Sequence, residues 1–206
     1  VPIMDGSSKE FVETIKKVGV KDLNAKRKYL KIIKKFEFKE NEKIISIEPN
    51  SKGLQVDFQL IYSNDVIGMQ SNKVNFAETD LSNVYTSRTF CLFEDIEKIK
   101  KIGLAKGGSL ENAVVVKDNE ILNSEGLRNS KEFVNHKILD LAGDFLLSGY
   151  RILGSVKCTK GGHSLSNLFL RAIFKDKSNF SIIEQEKSIP AENYFKITPN
   201  KLAVNA

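Results

Sequence analysis

The sequence predicts an α+β fold, a two-layer sandwich of antiparallel sheet and helices. Three observations carry it. Short alternating segments separated by turn residues run from Arg27 to Tyr62, a long helical stripe occupies Lys131 to Leu147, and a strand-loop-helix pattern follows. Helices segregated onto an antiparallel sheet define this class.

The elements follow in order. Val1 to Asn24 opens on the turn-rich PIMDGSS, then KEFVETIKKVG, where Phe11, Ile15 and Val18 keep helical spacing and Gly19 offers a stop. This is one short helix, too little for a domain. From Arg27 the pattern turns to strands: Tyr29-Lys31-Ile33, Phe36-Phe38, Lys43 to Glu48 and Leu54 to Tyr62. Turn signals at Asn41 and at Asn50-Ser51-Lys52-Gly53 separate them and predict an antiparallel meander. Ser82 to Tyr85 and Arg88 to Phe93 lead into a helix near Glu94 to Ile102, stopped by Gly103. Gly107-Gly108-Ser109 reads as a tight turn before a buried strand, Ala113 to Val116, and Asp118-Asn119 turns the chain into Glu120 to Leu122.

Ser130 is the expected N-cap of the long helix. Its apolar face is Phe133, Val134, Ile138, Leu141, Ala142 and Phe145, and Gly149 ends it. Tyr150 to Thr159 predicts a strand, KGGHS a loop, and Leu165 to Phe174 a last helix. From Lys175 the chain is polar, with Pro190 and Pro199, and reads as a weakly ordered tail.

A length of 206 residues suits one full domain with a real core plus extensions. No run approaches the roughly 18 apolar residues of a membrane span, and no signal-peptide pattern opens the chain. Cys91 and Cys158 are isolated and read as reduced thiols of a cytoplasmic protein. The formal net charge of +6 comes mainly from lysines, many within Lys26 to Lys43 and Lys98 to Lys106. The bland reading is a solvated surface; the functional one is attraction of an anionic ligand. No basic-aromatic repeat or helix-turn-helix points to nucleic acid.

The long helix holds the sharpest chemical signal. His136, Asp140 and Asp144 stand four residues apart, so they share one face. An imidazole and carboxylates on a rigid face can hold a divalent metal such as zinc. The same spacing also makes an ion pair worth a few tenths of a kcal/mol, and Lys137 can pair with Asp140. Spacing leaves both readings open. The second of the chain's two histidines, His163, sits in Gly161-Gly162-His163-Ser164, either as an exposed loop residue or as a general acid or base. In Arg88-Thr89-Phe90, the Thr89 hydroxyl could stabilise an oxyanion or simply suit a strand.

Together and in order, these segments resemble the zinc-dependent UDP-3-O-acyl-N-acetylglucosamine deacetylases of lipid A biosynthesis in Gram-negative bacteria. The matching stretches are PIMDGS (Pro2 to Ser7), SRTF (Ser87 to Phe90), DIEKIKKIGLAKGGS (Asp95 to Ser109), LNSEGLR (Leu122 to Arg128), EFVNHKILDLAGD (Glu132 to Asp144) and GGHSLSN (Gly161 to Asn167). The likeness covers nearly all of Val1 to Phe174.

The resemblance implies an enzyme that hydrolyses the N-acetyl group of UDP-3-O-acyl-N-acetylglucosamine, with Zn2+ as cofactor. His136 and Asp140 would bind the zinc. His163 would act as general acid or electrostatic stabiliser, Asp144 would orient it, and Thr89 would polarise the amide carbonyl. Lys137 would hold the nucleotide end of the substrate, Phe90 would contact it, and Tyr62 would stack on the base. A strand-helix-strand insert, matched to Ala105 to Leu122, would form the acyl-chain passage, lined by Phe93, Ile96, Gly108, Ser109, Ala113 and Val115. The usual acidic-aromatic pair followed by His-Pro reads here Ile61-Tyr62-Ser63-Asn64-Asp65, a departure at the uridine contacts.

The family has two similar α+β domains, and its third zinc histidine and its glutamate base lie in a first-domain motif upstream of PIMDGS. The expectation is therefore an N-terminally truncated chain: residues 1–26 a first-domain remnant, 27–175 a complete second domain, and 176–206 the tail. Such a chain would be monomeric, would bind zinc weakly and would lack useful activity. The alternative is a catalytically inactive nucleotide- or RNA-binding domain.

Overall fold

The computed structural model describes residues 2–21 and 23–185. Helix α1, Lys9–Val18, closes at Gly19, whose amide donates to the Ile15 carbonyl. Strands β1 (Arg27–Ile32), β2 (Phe36–Glu40), β3 (Lys43–Pro49), β4 (Leu54–Ile61) and β5 (Met69–Asn75) follow. Then come α2 (Ser82–Tyr85), β6 (Phe90–Leu92), α3 (Phe93–Lys101), β7 (Val114–Lys117), β8 (Glu120–Ile121), α4 (Glu132–Leu146), β9 (Arg151–Thr159), α5 (His163–Lys175) and, after a 3-10 turn at Lys177–Asn179, β10 (Phe180–Gln185). The class is α+β, as the sequence predicts.

The sheet is mixed, not the antiparallel meander expected. β2–β3 and β4–β5 are antiparallel hairpins, but β9 enters between them and runs parallel to β4 and to β1. A strand from late in the chain thus becomes the spine of the sheet. Gly154 lies where β9 passes from β1 to β3 and β4. A Cβ there would stand 2.8 Å from Cδ1 of Ile47 and 3.0 Å from Cγ1 of Ile32. Only glycine allows so close an approach.

Other local readings also change. Ser82–Tyr85, to which the sequence assigns no element type, is a single turn of helix, since four residues are too few to show a period. The long helix starts at Glu132 with Lys131 before it, and no side chain caps it. The expected polar tail begins instead as β10, which pairs antiparallel with β1 from Ile32↔Phe180 to Arg27↔Gln185. Pro190 and Pro199 lie outside the described residues.

Core burial follows the two periods. Val56, Phe58 and Leu60 alternate inward along β4, while Ile138, Leu141 and Phe145 face it from α4 at helical spacing. α5 adds Leu165, Phe169 and Ile173, and the Phe145 and Phe169 rings stack with centroids 5.9 Å apart. Both helices cover one face of the sheet. β6 and β7 are parallel and joined by α3, with β8 antiparallel to β7. This strand-helix-strand unit therefore begins at Phe90, ahead of the expected start at Ala105. No helix among the described residues is long and apolar enough to cross a membrane.

Candidate active site

A cleft of about 490 Å³ opens where the PIMDGS turn, the start of β6 and the exposed face of α4 converge. Its walls include Gly6, Ser8, Tyr62, Thr89, Phe90, His136, Lys137, Asp140 and His163.

The turn is held tightly. The Thr89 amide donates to the Gly6 carbonyl at 2.8 Å, and Arg128 Nη1 lies 2.8 Å from Asp5 Oδ2. Gly6 has φ +79°, and a Cβ there would sit 1.9 Å from the Asn112 carbonyl oxygen. Conformation and space both demand glycine.

β6 is locked to α4 by a buried ion pair. The Arg88 and Glu132 side chains are 1% and 0% exposed. Glu132 Oε1 accepts from Arg88 N at 3.0 Å and Nε at 2.8 Å, while Oε2 accepts from Arg88 Nη2 at 3.2 Å and Arg128 N at 2.6 Å. Arg88 also reaches Glu125 and the Gly126 carbonyl. Glu132 stands one turn before His136, and Arg88 precedes Thr89. The pair therefore sets the two walls of the cleft against each other.

On α4 the expected face forms. His136 Nε2 lies 3.4 Å from Asp140 Oδ1, and its Nδ1 lies 3.3 Å from the Ser87 carbonyl. An Nδ1–H donating to that carbonyl leaves the Nε2 lone pair facing the cleft. Burial pushes the imidazole's pKa down, with smaller contributions from Lys137 and His163, against Asp140 and the Ser87 carbonyl, which raise it. His136 is thus neutral at neutral pH, the form that ligates metals. Lys137 Nζ donates to Asp140 Oδ2 at 2.8 Å.

His163 is the first residue of α5, not a loop residue. Its Nδ1 lies 2.9 and 3.0 Å from the Asp144 carboxylate oxygens, and its Nε2 lies 3.9 Å from Asp140 Oδ2. Gly162, extended at φ −177°, delivers it there. Asp144 thus faces His163, while Asp140 faces His136.

Phe90 packs edge-on between Tyr62 and Phe133, at 5.8 and 4.9 Å between centroids, and lies 6.3 Å from the His136 ring. Burial raises the Tyr62 phenol's pKa. The residues expected along the acyl passage lie outside this cleft lining. Phe93, Gly108 and Ser109 are exposed, Ile96 and Ala113 half-buried, and Val115 buried. Sequence reasoning passed over Ser87, whose carbonyl fixes His136, and Arg88, whose partner lies 44 residues away.

His136 and Asp140 fit zinc as a pair. Two donors each about 2 Å from a tetrahedral centre stand about 3.3 Å apart, close to the 3.4 Å seen. Zinc sites take three or four protein donors. Among the described residues no group of three or more His, Cys, Asp or Glu side chains is arranged to hold a metal. The described residues therefore offer this pair with no third donor grouped beside it.

The fold and cleft define an α+β domain with a helix-borne His-Asp pair beside a second, hydrogen-bonded Asp-His pair. Residues 1–175 match the model of the LpxC family, UDP-3-O-acyl N-acetylglycosamine deacetylase. The UDP-3-O-acyl-N-acetylglucosamine deacetylase of Campylobacter jejuni subsp. jejuni is 39% identical over 188 residues, covering 91% of this chain and 64% of that protein. The Campylobacter hominis protein of that name is 39% identical over 198 residues (96% and 67%), and the Helicobacter pylori one 38% over 184 residues (89% and 62%). The chain belongs to the LpxC family. It spans about 64% of the length of the first of these relatives.

Proposed function

We propose that this chain carries part of the active site of a zinc-dependent deacetylase that removes the N-acetyl group of UDP-3-O-acyl-N-acetylglucosamine and releases acetate, in lipid A biosynthesis. Family membership and the relatives' names support the substrate. The observation that carries the metal reading is the neutral, half-buried His136 with Nε2 3.4 Å from Asp140 Oδ1.

His136 and Asp140 would hold the zinc, with a further donor from outside the described residues. Bound zinc supplies Lewis-acid polarisation of the amide carbonyl and a more acidic attacking water. Thr89, in the cleft wall, donates to the amide oxygen as it gains charge. The Asp144 contact fixes the His163 ring and leaves Nε2 turned toward Asp140, where it can stabilise charge or hand a proton to the leaving amine. Lys137 meets the nucleotide end, Tyr62 stacks on the base, and Phe90 supports that ring from below. The unit formed by Phe93, Ile96, Gly108, Ser109, Ala113 and Val115 takes the acyl chain.

Among the described residues no glutamate lines the cleft; the resemblance makes the general base a glutamate, so the base would come from outside these walls. The 206-residue chain is expected to release no acetate from the substrate with zinc present. The same chain preceded by the N-terminal part of a relative is expected to do so, and His136→Ala in that longer protein abolishes it. Zinc-dependent turnover by the 206-residue chain itself overturns the division of the site. If His136→Ala leaves zinc binding unchanged and a nucleotide or RNA still binds, a non-catalytic binding domain is the better reading.

A further inference from the structure

The Lys98 to Lys106 cluster plays no part in the cleft, and the structure gives it a distinctive setting. α3 buries none of its residues, and residues 100–111 are all exposed. The helix closes through Gly103 N–H to the Lys100 carbonyl at 2.9 Å and Leu104 N–H to the Ile99 carbonyl at 3.1 Å. This closure brings Ile102 and Leu104 out together at the tip. Ile102 is 72% exposed, Leu104 58% and Leu110 47%.

Single exposed aliphatics are ordinary, but three within nine residues form a patch. The charge between Glu97 and Glu111, which flank the tip, is one-sided. From Lys98 to Leu110 there are four lysines and no acid. Lys98 is tied to Asp95 at 2.9 Å, whereas Lys100, Lys101 and Lys106 make no ion pair among the described residues.

We infer that this tip docks on an anionic lipid surface, with Ile102, Leu104 and Leu110 entering the headgroup–acyl boundary and Lys100, Lys101 and Lys106 meeting lipid phosphates. Apolar residues flanked by unpaired lysines are the pattern of interfacial segments. A nucleic acid would use the lysines but gain nothing from exposed isoleucine and leucine, so lipid matches more of what is exposed. The inference rests on the tip alone and does not depend on the deacetylase reading.

The test is co-sedimentation of the 206-residue chain with vesicles of equal phosphatidylglycerol and phosphatidylcholine, and with phosphatidylcholine alone. Binding is expected to the anionic vesicles, weaker to the neutral ones, and falling as salt rises. Lys100→Gln/Lys101→Gln/Lys106→Gln should lower partitioning about 100-fold. Ile102→Ser/Leu104→Ser should lower it at least about tenfold. The control Lys31→Gln/Lys35→Gln/Lys43→Gln makes the same charge change elsewhere and should have little effect. All these sites are exposed, and unchanged circular dichroism checks the fold. Four results overturn the inference: no vesicle binding at low salt, an equal loss in the control, tight RNA binding lost in the tip variants, or self-association that Ile102→Ser/Leu104→Ser abolishes.

Discussion

Replacing Glu132 with alanine removes the acceptor of four donors at once: three groups of Arg88 and the Arg128 amide. It leaves a guanidinium that is 1% exposed with only Glu125 and the Gly126 carbonyl. Removing one member of a buried pair typically costs about 3–5 kcal/mol, and because Arg88 keeps the half-exposed Glu125 the expected cost is at the low end, about 3 kcal/mol. A domain of this size has about 5–15 kcal/mol in total, so the loss is a large share. Urea unfolding followed by circular dichroism should show a lower midpoint at unchanged slope. Arg88→Met/Glu132→Leu removes both charges and should recover most of the loss. A Glu132→Ala cost below about 1 kcal/mol, or a double variant as unstable as the sum of its singles, would refute the view that this pair locks β6 to α4.

Three further outcomes are expected. Gly6→Ala meets a backbone carbonyl at 1.9 Å and a positive φ, so it should destabilise by more than about 1 kcal/mol and loosen the Thr89 wall; a neutral melting profile speaks against the tight turn. Burial pushes the Cys158 thiol up to about 12, so a thiol reagent at pH 8 should reach it only after unfolding, and native labelling at the unfolded rate contradicts its burial. The Ser178 hydroxyl and amide, then Lys34, hold the Asp176 carboxyl down at about 2. Because that folded value lies below the ordinary aspartate value of about 3.9, its stabilising effect is full above about pH 4 and is lost as pH falls through about 2. A carboxyl carbon titration by NMR should show a midpoint near 2, and a midpoint near 4 removes the tie.

The site was more legible than the sheet. Helical spacing alone put His136, Asp140 and Asp144 on one face, because α4 is long, regular and amphipathic. Spacing could not say which partner each side chain would face. That required His163, which glycines 161 and 162 disguise as a loop residue although it opens α5. Arg88 was invisible because its significance lies in Glu132, 44 residues on, and a fully buried arginine has no local signature. β5 was missed because Met69–Asn75 is polar and buries Val74 alone. The place of β9 between hairpins is a long-range pairing that no local pattern encodes, so the meander was the natural but incorrect reading.

Titration of zinc into the 206-residue chain and into His136→Ala and Asp140→Ala tests the metal-holding pair most directly. Wild type should take up about one zinc, weakly because the described residues offer two donors, and each variant should lose at least about tenfold in affinity. Equal stoichiometry and affinity in all three proteins would contradict the assignment of His136 and Asp140 as the metal-holding pair.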